Sequence, residues 1–130
     1  MKYSHTIFYV IDVKETVDFY ERAFWFKRNM ITDEWDYAEL ISGETTIWFA
    51  SLELGKSNLW EDFTVSSNSK SPFWMEMAFI TDNLEKDFET AINQWATLYK
   101  SIEKKEWWQK VWYVKDNNGF LIELAEPMDY

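Results

Sequence analysis

The sequence predicts an α+β fold of two βαβββ modules, whose strands form a curved mixed-sheet cup with the helices on its outer face. Two observations predict this fold. The order strand, helix, three strands occurs twice, and apolar residues recur at steps of four, three and four from Val13 and again from Leu84, 71 residues later. Because a helix over one small sheet cannot close a core alone, we expect a single domain. Module 1 covers about 1–52, a linker about 53–72 and module 2 about 73–130.

Module 1 begins with a β-branched and aromatic run at 6–11, which predicts a buried strand. Asp12 stands at a helix N-cap with Glu15 three residues later, the spacing of a capping box. The helix then carries apolar residues at Val13, Val17, Tyr20 and Phe24. Strands are predicted at 26–31, 37–41 and 45–51, with a tight hairpin turn at 42–44.

Module 2 repeats this plan with a strand at 75–80, a helix cap at Asp82 and Asn83, and a helix from Leu84. Further strands are predicted at 96–100, 109–115 and 120–125, with a turn at 116–119. The segment 53–72 between the modules is rich in Ser, Asn, Gly and Lys, and it therefore predicts a linker or lid loop.

The composition excludes several classes of function. Acidic residues outnumber basic ones 23 to 13 in 130 residues, which argues against a nucleic-acid partner. This balance fits solubility first and recognition of a cationic ligand second. Cysteine is absent, so disulfides, thiolate metal sites and thiol nucleophiles are excluded. Apolar residues make up 47% of the chain but form no membrane-length run. These features predict a cytoplasmic protein without a membrane partner.

Two segments carry a resemblance to a known family. They are residues 8–13 running into 16–24, with the sequences FYVIDV and TVDFYERAF, and residues 114–124, VKDNNGFLIEL. In these segments the chain resembles the vicinal oxygen chelate superfamily of glyoxalase I, bleomycin-resistance proteins and extradiol dioxygenases. The resemblance covers nearly the whole chain. It implies the fold described above, a small-molecule partner and a homodimer, but members differ in chemistry, so it does not imply one activity.

The same resemblance implies candidate metal ligands at His5, Glu76 and Glu123, while the remaining ligand position falls on Trp48, which cannot ligate. One imidazole with carboxylates suits a divalent metal. Strand pairing adds other candidates. If residues 43 and 44 form the hairpin loop, Glu39 lies opposite Trp48, with Tyr37 on the same face. We expect Glu123 to pair with Trp112 and Trp107 to lie near the rim. The ligand-binding set is then Tyr37, Glu39, Trp48, Trp107 and Trp112.

Three functions are compatible with these residues. The first is a small-molecule binding protein with an acidic, aromatic cup for a cationic or aromatic ligand, and with no cofactor. The second is a metal-dependent lyase or dioxygenase that uses His5, Glu76 and Glu123. The third is a structural domain whose cup is blocked by Trp48 and Trp112. Clustered carboxylates need a metal, a cation, a proton or a nearby base, so they do not decide between the first two.

Tryptophan is abundant, with nine residues against only three glycines. Similar sequences have glycine just after each helix, where this chain has Trp25 and Trp95. Trp35, Trp48, Trp108 and Trp112 also stand where similar sequences have small residues, whereas Trp107 fits the family pattern. Two explanations remain open: a UGA codon that means glycine in the gene's own host, or deliberate aromatic enrichment.

Overall fold

The computed structural model describes residues 1–128, which form two compact units, one of residues 1–65 and one that begins at residue 66. Each unit contains a four-stranded mixed sheet, and three helices accompany the two sheets. The α+β class is therefore confirmed. No helix of the described residues has both the length and the apolar character that crossing a membrane requires.

Unit 1 has one parallel and two antiparallel strand pairs, in the spatial order β1-β4-β3-β2. The hairpin register predicted from the turn is confirmed, because Glu39 lies opposite Trp48 and Tyr37 opposite Ala50. Gly43 in this turn has a φ of 58°, which glycine adopts without strain. The elements of the unit are β1 (Ile7–Val10), α1 (Val13–Phe24), β2 (Lys27–Ile31), β3 (Tyr37–Ser42), β4 (Thr45–Ser51) and α2 (Leu52–Leu59).

Helix α1 begins at the predicted cap and covers one face of the first sheet. The Glu15 backbone N–H donates to Asp12 Oδ1 at 2.8 Å, so one of the free N–H groups of the first turn has a partner. The Tyr20 ring lies 4.9 Å from the Phe49 ring, and both side chains are fully buried. Burial of an aromatic side chain of this kind contributes about 1.5–3 kcal/mol to folding.

Helix α2 begins at Leu52 and continues into the segment 53–72, so the prediction of a linker or lid loop there is wrong for residues 53–59. The Leu54 N–H donates to Ser51 Oγ at 3.1 Å, which caps the helix. Gly55 lets it pack closely, since a Cβ there would lie 2.6 Å from the Phe63 ring and 2.8 Å from the Tyr9 ring. Polar composition concealed the helix, because its close approach to Tyr9 brings together residues that are distant in sequence.

Unit 2 repeats the topology of unit 1, with β5 and β8 parallel and the spatial order β5-β8-β7-β6. The predicted repetition of strand, helix and three strands is thereby confirmed. Asn83 stands at the N-cap of the helix, but its side chain makes no capping hydrogen bond. The elements of the unit are β5 (Met77–Ile80), α3 (Leu84–Asn93), β6 (Thr97–Lys104), β7 (Lys110–Lys115) and β8 (Leu121–Ala125).

The predicted register of the last hairpin is wrong by one residue. Glu123 lies opposite Tyr113, and Trp112 lies opposite Leu124. The connection comprises residues 116–120 instead of 116–119, because Asp116 Oδ1 accepts the Phe120 N–H at 2.8 Å and holds that residue in the turn. A shift of one residue moves every later side chain to the opposite face of the sheet.

The two helix caps provide a matched stability test. Replacing Asp12 with Ala removes a capping acceptor, so we expect the free energy of unfolding to fall by about 1 kcal/mol. Asn83→Ala should change it by less than about 0.5 kcal/mol, because no side-chain bond is lost there. Urea denaturation followed by circular dichroism measures both values. Equal losses in the two variants would contradict this assignment of the caps.

Candidate ligand-binding faces

Trp48 and Glu123 occupy equivalent positions in the two sheets. Trp48 on β4 pairs with Ile7 of the parallel strand β1, and Glu123 on β8 pairs with Ala78 of the parallel strand β5. Each residue is also paired with the third strand of its sheet. The register of the repeat therefore places an indole in unit 1 where unit 2 has a carboxylate.

His5 and Glu76 are related in the same way. His5 precedes Ile7 by two residues, and Glu76 precedes Ala78 by two residues. Side chains alternate along an extended chain, so residues two apart lie on the same face of a sheet. His5 therefore shares a face with Ile7 and its partner Trp48, and Glu76 shares a face with Ala78 and its partner Glu123. The two units thus contribute two equivalent pairs of positions, His5 with Trp48 and Glu76 with Glu123.

In unit 1 the face opposite α1 carries a hydrogen-bonded carboxylate. The Tyr37 hydroxyl donates to Glu39 Oε1 at 2.8 Å, and Asn29 Nδ2 donates to Glu39 Oε2 at 3.0 Å. Desolvation by burial raises the pKa of Tyr37, and the hydrogen bond to the Glu39 carboxylate raises it further. Tyr37 thus remains a neutral donor, and Glu39 has a partner on each oxygen.

Trp48 lies against His5 on this face. The ring centroids of His5 and Trp48 are 3.4 Å apart with an angle of 23° between the rings. The Tyr37 ring meets the same indole edge-on at 5.7 Å. His5 Nδ1 lies 2.7 Å from Ser4 Oγ, so the imidazole is held both through its face and through one nitrogen. Unit 1 therefore presents an aromatic surface.

In unit 2 the corresponding face is more acidic. The Tyr113 hydroxyl donates to Glu123 Oε2 at 2.8 Å across the strand pair. Desolvation raises the pKa of Tyr113, and so do the hydrogen bond to Glu123 and the charges of Glu76 and Glu103. Three carboxylates therefore act on one neutral phenol.

The pKa of Glu76 is raised by its surroundings. The residue is exposed as a whole, yet desolvation of its carboxyl group and the charge of Glu123 both raise its pKa. Lys105 opposes this effect. The Lys105 ammonium lies 3.2 Å from Glu103 Oε2 and 5.1 Å from the centre of the Tyr113 ring. The Lys105 ammonium thus pairs with Glu103 and offsets part of the charge that acts on Glu76.

The structure places the predicted ligand-binding residues Trp112 and Trp107 in different surroundings. Trp112 does not share a face with Glu123: its indole stacks on Phe88 of α3 at 3.8 Å and 5°. The register error caused this misplacement, and Tyr113 takes the position expected for Trp112. Trp107 lies in the loop between β6 and β7, where it is 55% exposed and donates from Nε1 to Gln109 Oε1 at 2.9 Å. Asn29 was missed because an isolated amide gives no sequence signal.

The residues that the resemblance suggested as metal ligands do not fit a metal. Trp48 has no ligating atom at the equivalent of the Glu123 position. His5 is stacked on that indole, and its Nδ1 is hydrogen-bonded to Ser4. Among residues 1–128, no group of three or more His, Asp or Glu side chains has an arrangement that could hold a metal ion.

Comparison with known families identifies the class of protein. The family model described as the Glyoxalase/Bleomycin resistance protein/Dioxygenase superfamily matches residues 2–124. The chain belongs to this superfamily. The resemblance drawn from the two sequence segments is thereby confirmed.

Solved structures of similar fold include a glyoxalase-related enzyme from Fulvimarina pelagi, with 12% identity, 98% of this chain and 88% of that chain covered, and a TM-score of 0.83. A glyoxalase/bleomycin resistance protein/dioxygenase family enzyme from Burkholderia phytofirmans PsJN has 16% identity, coverage of 96% and 98%, and a TM-score of 0.77. TioX from Micromonospora sp. ML1 has 18% identity, coverage of 97% and 100%, and a TM-score of 0.70. A search of curated proteins found no match.

The acidic face of unit 2 predicts coupled titration. Replacing Glu123 with Gln removes both a charge and a carboxylate acceptor, so the pKa values of Tyr113 and Glu76 should fall. Glu39→Gln is the matched control, and it should lower the pKa of Tyr37 and leave that of Tyr113 unchanged. NMR titration of labelled tyrosine and glutamate side chains measures these values. An unchanged pKa at Glu76 in the Glu123→Gln variant would contradict the coupling.

Proposed function

We propose that this protein binds a small organic molecule that carries a positive charge and an aromatic or other apolar group. The observation that carries this proposal is the charge imbalance around Tyr113. Glu76, Glu103 and Glu123 all raise the pKa of Tyr113. Lys105 lowers the pKa of Glu76 and so opposes the charge of Glu123 there. A ligand cation would relieve the repulsion that the carboxylates exert on one another.

The electrostatic free energy that such a cation gains depends on how far it is shielded from bulk water. A unit charge about 4 Å from one carboxylate gains about 1 kcal/mol in bulk water and about 4 kcal/mol near a protein surface. Desolvation at Glu76 and Tyr113 places this face between those limits. Attraction of this kind is screened by salt. Binding should therefore depend strongly on ionic strength.

Aromatic side chains supply the second element of recognition. In unit 2 the Tyr113 ring already has the Lys105 ammonium 5.1 Å from its centre, which is a cation–π distance. In unit 1 the Tyr37 and Trp48 rings form an aromatic surface beside Glu39. Within either unit, the carboxylate would hold the ligand's charge and the neighbouring ring its apolar part.

The family supports a binding protein of this type, since its description includes bleomycin-resistance proteins. Bleomycin is a cationic glycopeptide with aromatic groups, so it is a suitable probe. We also propose a homodimer, as the resemblance implies, and a cytoplasmic location, as the absence of cysteine suggests. Sedimentation equilibrium of the purified chain tests the dimer. The donor set around His5 gives a metal-dependent lyase or dioxygenase less support than a binding protein.

A titration with bleomycin tests the proposal. Intrinsic tryptophan fluorescence should report binding, because Trp107 is exposed in the loop that precedes β7. We expect Kd to rise with added salt and to rise about tenfold in Glu123→Gln, which corresponds to a loss of about 1.4 kcal/mol. The matched control is Glu89→Gln, an exposed carboxylate on α3, which should change Kd less than about twofold. Failure to bind, or equal effects of the two substitutions, would contradict the proposal.

Binding should also depend on pH through Glu76. Its raised pKa means that the carboxyl takes up a proton at a higher pH than an ordinary glutamate does. A cation prefers the ionised form, so affinity should fall as the pH is lowered through this raised pKa. In Glu76→Gln the affinity at pH 7 should be lower and its pH dependence flatter. Isothermal titration calorimetry between pH 4.5 and 8 measures both, and an affinity that increased on acidification would contradict this role of Glu76.

A further inference from the structure

Every described residue other than glycine that has a positive φ is a tryptophan. Among residues 1–128 there are five of them. An L-residue in this region places its Cβ close to a backbone carbonyl, and Asn or Asp is the usual alternative to glycine there. Neither Asn nor Asp occurs at any of these positions. The residues and their φ angles are Trp25 at 57°, Trp35 at 58°, Trp60 at 62°, Trp95 at 85° and Trp108 at 73°.

Two of these tryptophans end helices in the manner of glycine. Trp25 ends α1 and Trp60 ends α2, both in the left-handed conformation. The Trp25 N–H donates to Glu21 O at 3.2 Å, and the Trp60 N–H donates to Lys56 O at 2.7 Å. A left-handed residue that donates to a carbonyl of the last turn is the usual helix-ending motif, and glycine is its usual residue.

The other three close tight turns. The Trp35 N–H donates to Thr32 O at 3.1 Å, the Trp95 N–H to Ile92 O at 3.1 Å, and the Trp108 N–H to Lys105 O at 2.9 Å. In each case the chain needs a positive φ at the residue that donates the bond. All five residues thus adopt a backbone conformation that glycine usually adopts.

Four of the five indoles gain little from burial at these positions. Trp25, Trp60, Trp95 and Trp108 are 56%, 92%, 80% and 77% exposed. A tryptophan normally buries most of its large side chain, and an exposed indole contributes little hydrophobic stabilisation to offset backbone strain. No gain from burial accounts for an aromatic residue at these four positions.

The other tryptophans behave differently, so abundance alone does not explain the pattern. Trp48 and Trp112 lie in strands and stack on His5 and Phe88, without positive φ. Trp107, next to Trp108, has no positive φ and donates a hydrogen bond through its indole. Backbone geometry therefore separates one set of tryptophans from the rest. It adds Trp60 to the positions that the sequence singled out, and it gives no such reason for glycine at Trp48 or Trp112.

We propose that these five positions are glycines in the protein made by the gene's own host, which reads the codon UGA as glycine. A change in the meaning of one codon replaces one residue type with one other residue type throughout a chain. Scattered mutations would have introduced several residue types. Deliberate aromatic enrichment would have avoided the positions where a Cβ is most strained. One codon therefore explains both the residue type and its location.

Peptide mass spectrometry of the protein purified from that host tests the proposal directly. We expect glycine at positions 25, 35, 60, 95 and 108, and tryptophan at Trp107, which fits both the family pattern and its hydrogen bond to Gln109. Sequencing of the gene should show UGA at the five positions and UGG at position 107. Tryptophan at any of the five positions in the host's protein would overturn the proposal.

Thermal melts of the chain with tryptophan provide an independent readout. Trp60→Gly and Trp60→Ala both remove an exposed indole, but only glycine relieves the positive φ. We expect Tm to be roughly 3–5 °C higher for the glycine variant than for the alanine variant.

Trp74 is the matched control, because it is fully exposed and has no positive φ. There the glycine variant should melt at the same temperature as the alanine variant or below it, since glycine loses more backbone entropy on folding. The adjacent pair Trp107 and Trp108 should repeat this contrast within a single loop. No gain of glycine over alanine at Trp60 and Trp108 would overturn the proposal.

Discussion

The register of the β-hairpins is the constraint on which the rest of this structure depends. Side chains alternate along a strand, so the number of residues in a turn decides which of them meet the helix and which face away from it. In unit 1 the turn at Gly43 turns Phe49 toward α1 and leaves Glu39 and Trp48 on the other face. In unit 2 one additional residue in the turn places Tyr113, and not Trp112, opposite Glu123.

This division of faces places Glu39 and Glu123 on the sheet faces opposite the helices, where they produce a negative potential. Side chains on the helix side form an apolar core with few polar atoms, so the carboxylates are confined to the other face. There they accept hydrogen bonds from neutral phenols, Tyr37 to Glu39 and Tyr113 to Glu123. A neutral donor stabilises a carboxylate without cancelling its charge. The negative potential that would attract a cation is therefore retained, and the Lys105 ammonium offsets only part of it.

The tryptophans at positive φ show how local strain coexists with an ordinary fold. Each strained residue lies at a helix end or in a turn, and four of the five indoles are exposed, so they displace no core side chain. The hydrogen bonds that close these turns are still formed, since they need only the backbone N–H. The strain at five positions lowers stability without changing topology. A fold defined by strand pairing and by the alternation of apolar residues tolerates substitutions of this kind at helix ends and in turns.

Local patterns in the sequence determined the α+β class, the twofold repetition, the Asp12 cap and the first hairpin, because each depends on neighbours within a few residues. The face shared by Tyr37, Glu39 and Trp48 followed from the same short-range information. Tertiary structure alone decided the rest. Helix α2 packs close to the Tyr9 ring, which is distant in sequence, and the partner of Glu123 depends on the hydrogen bond from the Phe120 N–H to Asp116 in the turn. The need for glycine at a given tryptophan depends on a φ angle, which the whole fold imposes and no composition reveals.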